Sequence, residues 1–202
     1  MNSNGAPAEP KGWATLGREI HYRDAHLLVA TETVRTPSSG QIRGWTVVRR
    51  KAAVVIAPLT LDGKLVLIRQ ERIPIRTAIW EVPAGQIDDA SEEHDARGAE
   101  TVARRELREE TGFELAPDGE MIPLGRFYSS PGFTDERAWF FLARGVIEAS
   151  AGHSHKEFES ILDCRAYDSR EIADMIRRDE IQDANTLSIC AKLVARGFLA
   201  LP

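Results

Sequence analysis

The sequence predicts an α/β fold, a mixed sheet lying between helices, with a smaller antiparallel β region ahead of it. Three observations predict this. Ala52 to Pro58 is a nearly continuous apolar run, the mark of a buried strand. Strand-like segments stand on both sides of one strongly helical stretch, Ala99 to Thr111. Two further helical patterns close the chain, Asp168 to Arg178 and Asp183 to Ala195.

In chain order, Met1 to Gly12 reads as a disordered polar tail with no apolar signal core. His26 to Ala30 and Thr31 to Arg35 read as short strands, Pro37 to Gly40 as a turn, and Ile42 to Arg49 as another β run. Together they predict an N-terminal hairpin or small sheet over residues 1–49, with a main domain over residues 50–202. Asp62-Gly63 marks a tight hairpin between the Ala52 strand and its partner, Lys64 to Arg69. Trp80 to Val82 reads as a short strand. Leu124 to Tyr128, Ala138 to Ala143 and Ser160 to Tyr167 complete the strands, with a polar loop from His153 to Glu159. Asp168 is placed to cap the helix that follows it.

Composition limits the function. With 43% apolar residues, the 202-residue chain can bury a core. Its net charge of −5 argues against a nucleic-acid binder, and no apolar run reaches membrane-spanning length. Cys164 and Cys190 match no metal or redox spacing. Reduced thiols in a cytoplasmic protein are the expectation.

The chemistry concentrates in Arg105-Glu106-Leu107-Arg108-Glu109-Glu110-Thr111-Gly112-Phe113. Glu106, Glu109 and Glu110 are spaced i, i+3, i+4 and so share a helix face. Val102, Ala103 and Leu107 give the helix a buried side, and Gly112 stops it. Acids in a last turn oppose the helix dipole and need a compensating cation. Mg²⁺, which takes oxygen ligands and leaves room for phosphate oxygens, suits them.

This stretch resembles the box of the Nudix hydrolases, Gly-x5-Glu-x7-Arg-Glu-U-x-Glu-Glu-x-Gly-U, with U aliphatic or aromatic. Arg105, Glu106, Leu107, Glu109, Glu110, Gly112 and Phe113 match its second half. Gly85, in Pro83-Ala84-Gly85, looks like its first glycine. Six extra residues separate Gly85 from Arg105, so the first glutamate of the box has no direct counterpart. Glu92, Glu93 and Glu100 are the candidates, and Asp88 to Glu100 reads as an exposed, lengthened loop.

The resemblance narrows to ADP-ribose pyrophosphatases through Leu67 to Arg72, Glu81 to Gly85, Ser129 to Glu136 and Glu180 to Leu187. It implies an α/β/α sandwich and cleavage of a nucleoside diphosphate sugar. It implies Mg²⁺, with Mn²⁺ a possible substitute, held by Glu106, Glu109, Glu110 and the Ala84 carbonyl. Glu109 and Glu110 then count as catalytic, and Arg105 as structural, pairing with acids of the loop. Arg69, Arg72, Glu81, Pro131 and Gly132 are implied to line the substrate. Trp45 is either a core aromatic or a purine-stacking one. The catalytic base is implied to be Glu157, with Glu159 the runner-up and His153 and His155 nearby. A homodimer through the N-terminal β region is expected, since a small β segment cannot bury both faces alone. Other Nudix substrates, such as a GDP-sugar, CDP-choline or a dinucleotide, stay open, as does a non-catalytic nucleotide-sugar sensor.

Overall fold

A computed structural model describes residues 10–89, 95–150 and 160–202. The chain forms two compact units. One holds residues 1–51 with 130–136, the other 52–129 with 137–202. The division thus falls two residues beyond the expected boundary, and one later segment joins the N-terminal unit.

The N-terminal unit is a three-stranded antiparallel sheet of β1 (Ala14–Arg23), β2 (Leu27–Arg35) and β3 (Ile42–Arg50), with β2 in the middle. The two short segments expected between His26 and Arg35 are one strand. Asp24 makes the first reversal by accepting from the backbone of His26 and Leu27. Glu32, in β2, is only 2% exposed and is held by Arg18 from β1 and Arg49 from β3. A buried carboxylate is tolerable on such terms, with cations on both sides.

The second unit is built on a seven-stranded sheet. Its strands are β4 (Ala53–Thr60), β5 (Leu65–Arg72), β6 (Thr77–Glu81), β7 (Ala84–Gln86), β8 (Phe113–Tyr128), β9 (Arg137–Glu148) and β10 (Ile161–Tyr167). The order is β10-β5-β4-β9-β8, and only the β4–β9 pair is parallel. Among the described residues three α-helices accompany it: α1 (Ala96–Thr111), α2 (Ser169–Arg177) and α3 (Ala184–Ala195). Both faces of β4 are covered, which is why its sequence is apolar without alternation. Val55, Ala57 and Leu59 pack with Ile172, Ile189 and Leu193 of α2 and α3. Val54 and Ile56 pack with Val102, Ala103 and Leu107 of α1. The expected α/β/α sandwich with a mixed sheet is the fold observed.

Two expectations need correcting, and one strand went unforeseen. Strand β8 begins at Phe113, not Leu124. Its ladder skips from Leu115 to Glu120, and this irregularity absorbs the turn-like Pro117-Asp118-Gly119. The stretch read as an exposed loop through Glu100 becomes helix at Ala96. Asp95 caps that helix by accepting from the backbone N–H of Arg97 and Gly98, at 3.0 and 2.9 Å. Gly98 in the first turn weakens the helical signal there. Strand β7, inside the motif loop, carried no strand pattern at all.

Candidate active site

The sheet forks where the motif enters it. Strands β4 and β5 leave the Asp62-Gly63 hairpin paired at Leu59 and Leu65 and then part company. Strand β6 fills the gap along β5, and β7 fills it along β4. Val82 and Pro83 cross between them. Pro83 accepts a hydrogen bond from the Ile56 N–H, at 2.9 Å. A fork of this kind puts beside a rigid core a loop whose backbone groups can take side-chain partners, as Val82 and Ala84 do.

Helix α1 brings the acids to that loop. Gly112 ends it in the left-handed region, φ 71°, with its N–H on the Arg108 carbonyl. Glu106 and Glu110 are each 2% exposed, and Glu109 is half-buried. Glu110 accepts from the Ala84 N–H at 2.8 Å. Glu106 accepts from Arg105 at 3.0 Å and lies directly over Gly85. Among the described residues, no three His, Cys, Asp or Glu side chains form a ready-made metal cluster. The donor set still fits a hard divalent cation. Two carboxylates are buried at a loop whose central residue has no side chain, and buried carboxylates ordinarily require a cation or dense hydrogen bonding.

Arg72 and Glu81 meet as a bidentate ion pair. Arg72 Nε stands 2.8 Å from Oε1, and Nη2 contacts the other oxygen. The Glu81 side chain is 4% exposed and that of Arg72 is 40% exposed. Glu81's hydrogen bonds hold the Arg72 guanidinium above its ordinary pKa against the opposite pull of burial, and the charges of Asp183 and Glu110 add to this. Two residues expected to line the substrate therefore bind each other. Arg69 is exposed on β5, between Trp80 of β6 and Asp163 of β10 in the ladder.

Trp45, Pro131 and Gly132 belong to the other unit. Trp45 is 56% exposed, so it is not a core aromatic. Its indole N–H donates to the Gly132 carbonyl at 2.8 Å. The same segment is tied down by Val48 N–H to the Phe133 carbonyl and by Arg49 to Asp135. Pro131 and Gly132 are exposed.

Glu100 pairs with Arg104 on the exposed side of α1. Glu92, Glu93, His153, His155, Glu157 and Glu159 lie outside the described residues. Sequence reasoning missed Asp183 and Thr186 at the start of α3, where Thr186 Oγ1 accepts from the Val82 N–H. The Asp-x-x-Thr spacing is an ordinary capping signal, and no local pattern says that the cap faces the motif loop.

Residues 48–187 match the NUDIX domain family. The chain belongs to the Nudix family. An ADP-ribose pyrophosphatase from Mycobacterium tuberculosis is 30% identical, covering 91% of this chain and 85% of that one. Another from Bacillus subtilis is 29% identical, covering 85% and 87%. A methanol dehydrogenase activator from Bacillus methanolicus is 31% identical, covering 86% and 88%. The crystal structure of an ADP compounds hydrolase matches with a TM-score of 0.69 at 20% identity, covering 96% of this chain and all of that one, a likeness of fold. This Nudix hydrolase keeps the second half of the family's box on α1, against the loop from Glu81 to Gln86. No helix among the described residues is long and apolar enough to cross a membrane.

Proposed function

We propose that this enzyme hydrolyses the pyrophosphate bond of ADP-ribose or a related nucleoside diphosphate sugar, releasing a nucleoside monophosphate and a sugar phosphate. The observation that carries this reading is the seating of Glu106 and Glu110, both 2% exposed, against Ala84 and Gly85. Relatives named ADP-ribose pyrophosphatase, aligned over more than four fifths of the chain, support the substrate class.

Glu106, Glu109, Glu110 and the Ala84 carbonyl are the groups that would hold Mg²⁺, or Mn²⁺ in its place. When bound, the cation neutralises diphosphate charge and acidifies water. The chain's own residues do the rest. Arg72, charged at any working pH, pairs with Glu81 beside the loop. Arg69 offers an exposed guanidinium for a phosphate. Trp45 presents an exposed indole whose N–H is already satisfied by Gly132, which leaves its ring face for a nucleobase. Glu157 takes the proton of the attacking water, or orients that water.

We also propose a cytoplasmic homodimer joined through the N-terminal sheet. Leu16, Ile20, Tyr22 and Ile42 of that sheet are each roughly half exposed, a surface that a second copy would cover.

A GDP-sugar is the second reading. A GDP-mannose pyrophosphatase from Enterobacter sp. (strain 638) is 31% identical over 67% of this chain. The test is a panel of ADP-ribose, GDP-mannose, CDP-choline and a dinucleotide, assayed with Mg²⁺ and with chelator, products separated by chromatography. AMP and ribose 5-phosphate appearing fastest, only with the metal and not with Glu110→Gln, is the expected result. Preference for GDP-mannose would replace the substrate. No turnover of any compound would remove the reading.

A further inference from the structure

The motif loop is suspended at three successive residues by three different elements. Val82 N–H donates to Thr186 Oγ1 of α3 at 3.0 Å. Pro83 accepts from Ile56 of β4, and Ala84 N–H donates to Glu110 of α1. The contact at Ala84 comes from the helix that carries the family's box, and the contact at Pro83 from a neighbouring strand of the same sheet. The contact at Val82 comes from a helix outside the box.

The hydroxyl of Thr186 has a set polarity. It donates its only proton to Asp183 Oδ2 at 2.8 Å, and the same oxygen of Asp183 accepts the Thr186 N–H at 2.7 Å. The Thr186 lone pairs are thereby turned to Val82. Thr186 is fully buried and Val82 is 1% exposed, so bulk water has no easy access to either group. Asp183 also contributes to the field around Arg72, the partner of Glu81. One cap thus bears on both sides of Glu81: on its ion-pair partner, and on the next residue of the chain.

We infer that Asp183 and Thr186 are positioning residues of the active site, setting the height of the Glu81–Gly85 loop above the acids of α1. The inference rests on the proposed role of that loop and those acids in holding the divalent cation. Losing a hydrogen-bonded support behind metal-binding groups typically costs about 10- to 100-fold in metal affinity or activity.

The test uses the full chain and Mn²⁺ as probe, titrated by electron paramagnetic resonance, with kcat and KM for ADP-ribose measured alongside. Thr186→Val keeps the shape and removes the hydroxyl. It should weaken Mn²⁺ binding and lower kcat by about tenfold or more, while KM moves much less and the protein still melts cooperatively. Thr186→Ser restores the hydroxyl and should return both quantities to within about twofold of wild type. Wild-type Mn²⁺ affinity and kcat in Thr186→Val would overturn the inference, as would equal losses in the valine and serine variants. If Thr186→Val does not fold, Asp183→Asn carries the test. A several-fold loss of Mn²⁺ affinity supports the inference, and wild-type affinity sinks it. Glu110→Gln separates the two levels. Undiminished Mn²⁺ binding there removes the metal reading and this inference together. Lost binding there, with wild-type binding in Thr186→Val, removes the inference alone.

Discussion

Gly85 and Glu106 compete for one space: a β-carbon built on Gly85 would stand 2.3 Å from both Cγ and Cδ of Glu106. That distance is far inside van der Waals contact, so the glutamate occupies the volume of the missing side chain. Gly85→Ala should push Glu106 off the loop and cost about 1–3 kcal/mol of stability by overpacking. Turnover should fall by at least about tenfold, because the displaced group is a proposed metal ligand. Gly44→Ala is the control, since a β-carbon there meets nothing within 4 Å. Comparable kcat in the two variants, measured with melting curves, would count against the cradle.

The Arg72–Glu81 pair gives a second test. Arg72→Ala leaves Glu81 buried without its partner. Removing one member of a fully buried pair costs about 3–5 kcal/mol. With the arginine side chain 40% exposed, solvent screening brings the expectation down to about 1–3 kcal/mol. Arg72→Ala/Glu81→Gln should recover part of that loss. A denaturant double-mutant cycle reads it, and zero coupling would show that the fork contributes nothing.

Glu157→Gln should lower kcat by about 10²- to 10⁴-fold, the usual contribution of a base, with Mn²⁺ binding unchanged. If that variant stays within a few-fold of wild type while Glu159→Gln or His155→Ala collapses kcat, the base is the other residue.

Multi-angle light scattering at micromolar concentration should give about twice the 22.5 kDa mass of the chain. Charged substitutions at Ile20 and Tyr22 should shift the mass toward one copy. A wild-type mass near 22.5 kDa would end the dimer proposal.

The two cysteines should be inert. Burial, reinforced by the charges of Asp163 and Glu148, pushes the Cys164 thiol up to about 12, and burial pushes Cys190 up to about 11. Only thiolates alkylate, so iodoacetamide at pH 8 should label neither in the folded protein and both in denaturant. The linkage has a definite sign. The folded thiols keep protons that unfolded ones release near about pH 8.5. Their contribution to stability is therefore present below that pH and lost as pH rises toward the folded values. Rapid labelling of the native protein would show that the sites are more open than their burial implies.

Much of this was written locally. The helix Glu106 belongs to, its stop at Gly112 and the acid face follow from spacing within about four residues, the range over which helix neighbours touch. Asp168 capping α2 was legible because its oxygen meets N–H groups two and three residues on, and Glu171 closes the capping box. Strand β4 showed itself because both of its faces are buried. The start of α1 at Ala96 did not, because Gly98 in its first turn hides the helical pattern.

What the sequence by itself determined was the family chemistry and the elements that carry it: three carboxylates on one helical face, a glycine-bearing loop before them, and strands apolar enough to need helices on both sides. Only the tertiary structure decided which groups meet. Arg72 spends its fork on Glu81, Trp45 donates to Gly132, Gly85 makes room for Glu106, and Thr186 supports Val82, 104 positions away in the chain. Each of these joins residues from different elements. Their meeting depends on the fork in the sheet, on strand register and on where a helix cap comes to rest, which follow from packing the whole chain at once and leave no mark in any short stretch of it.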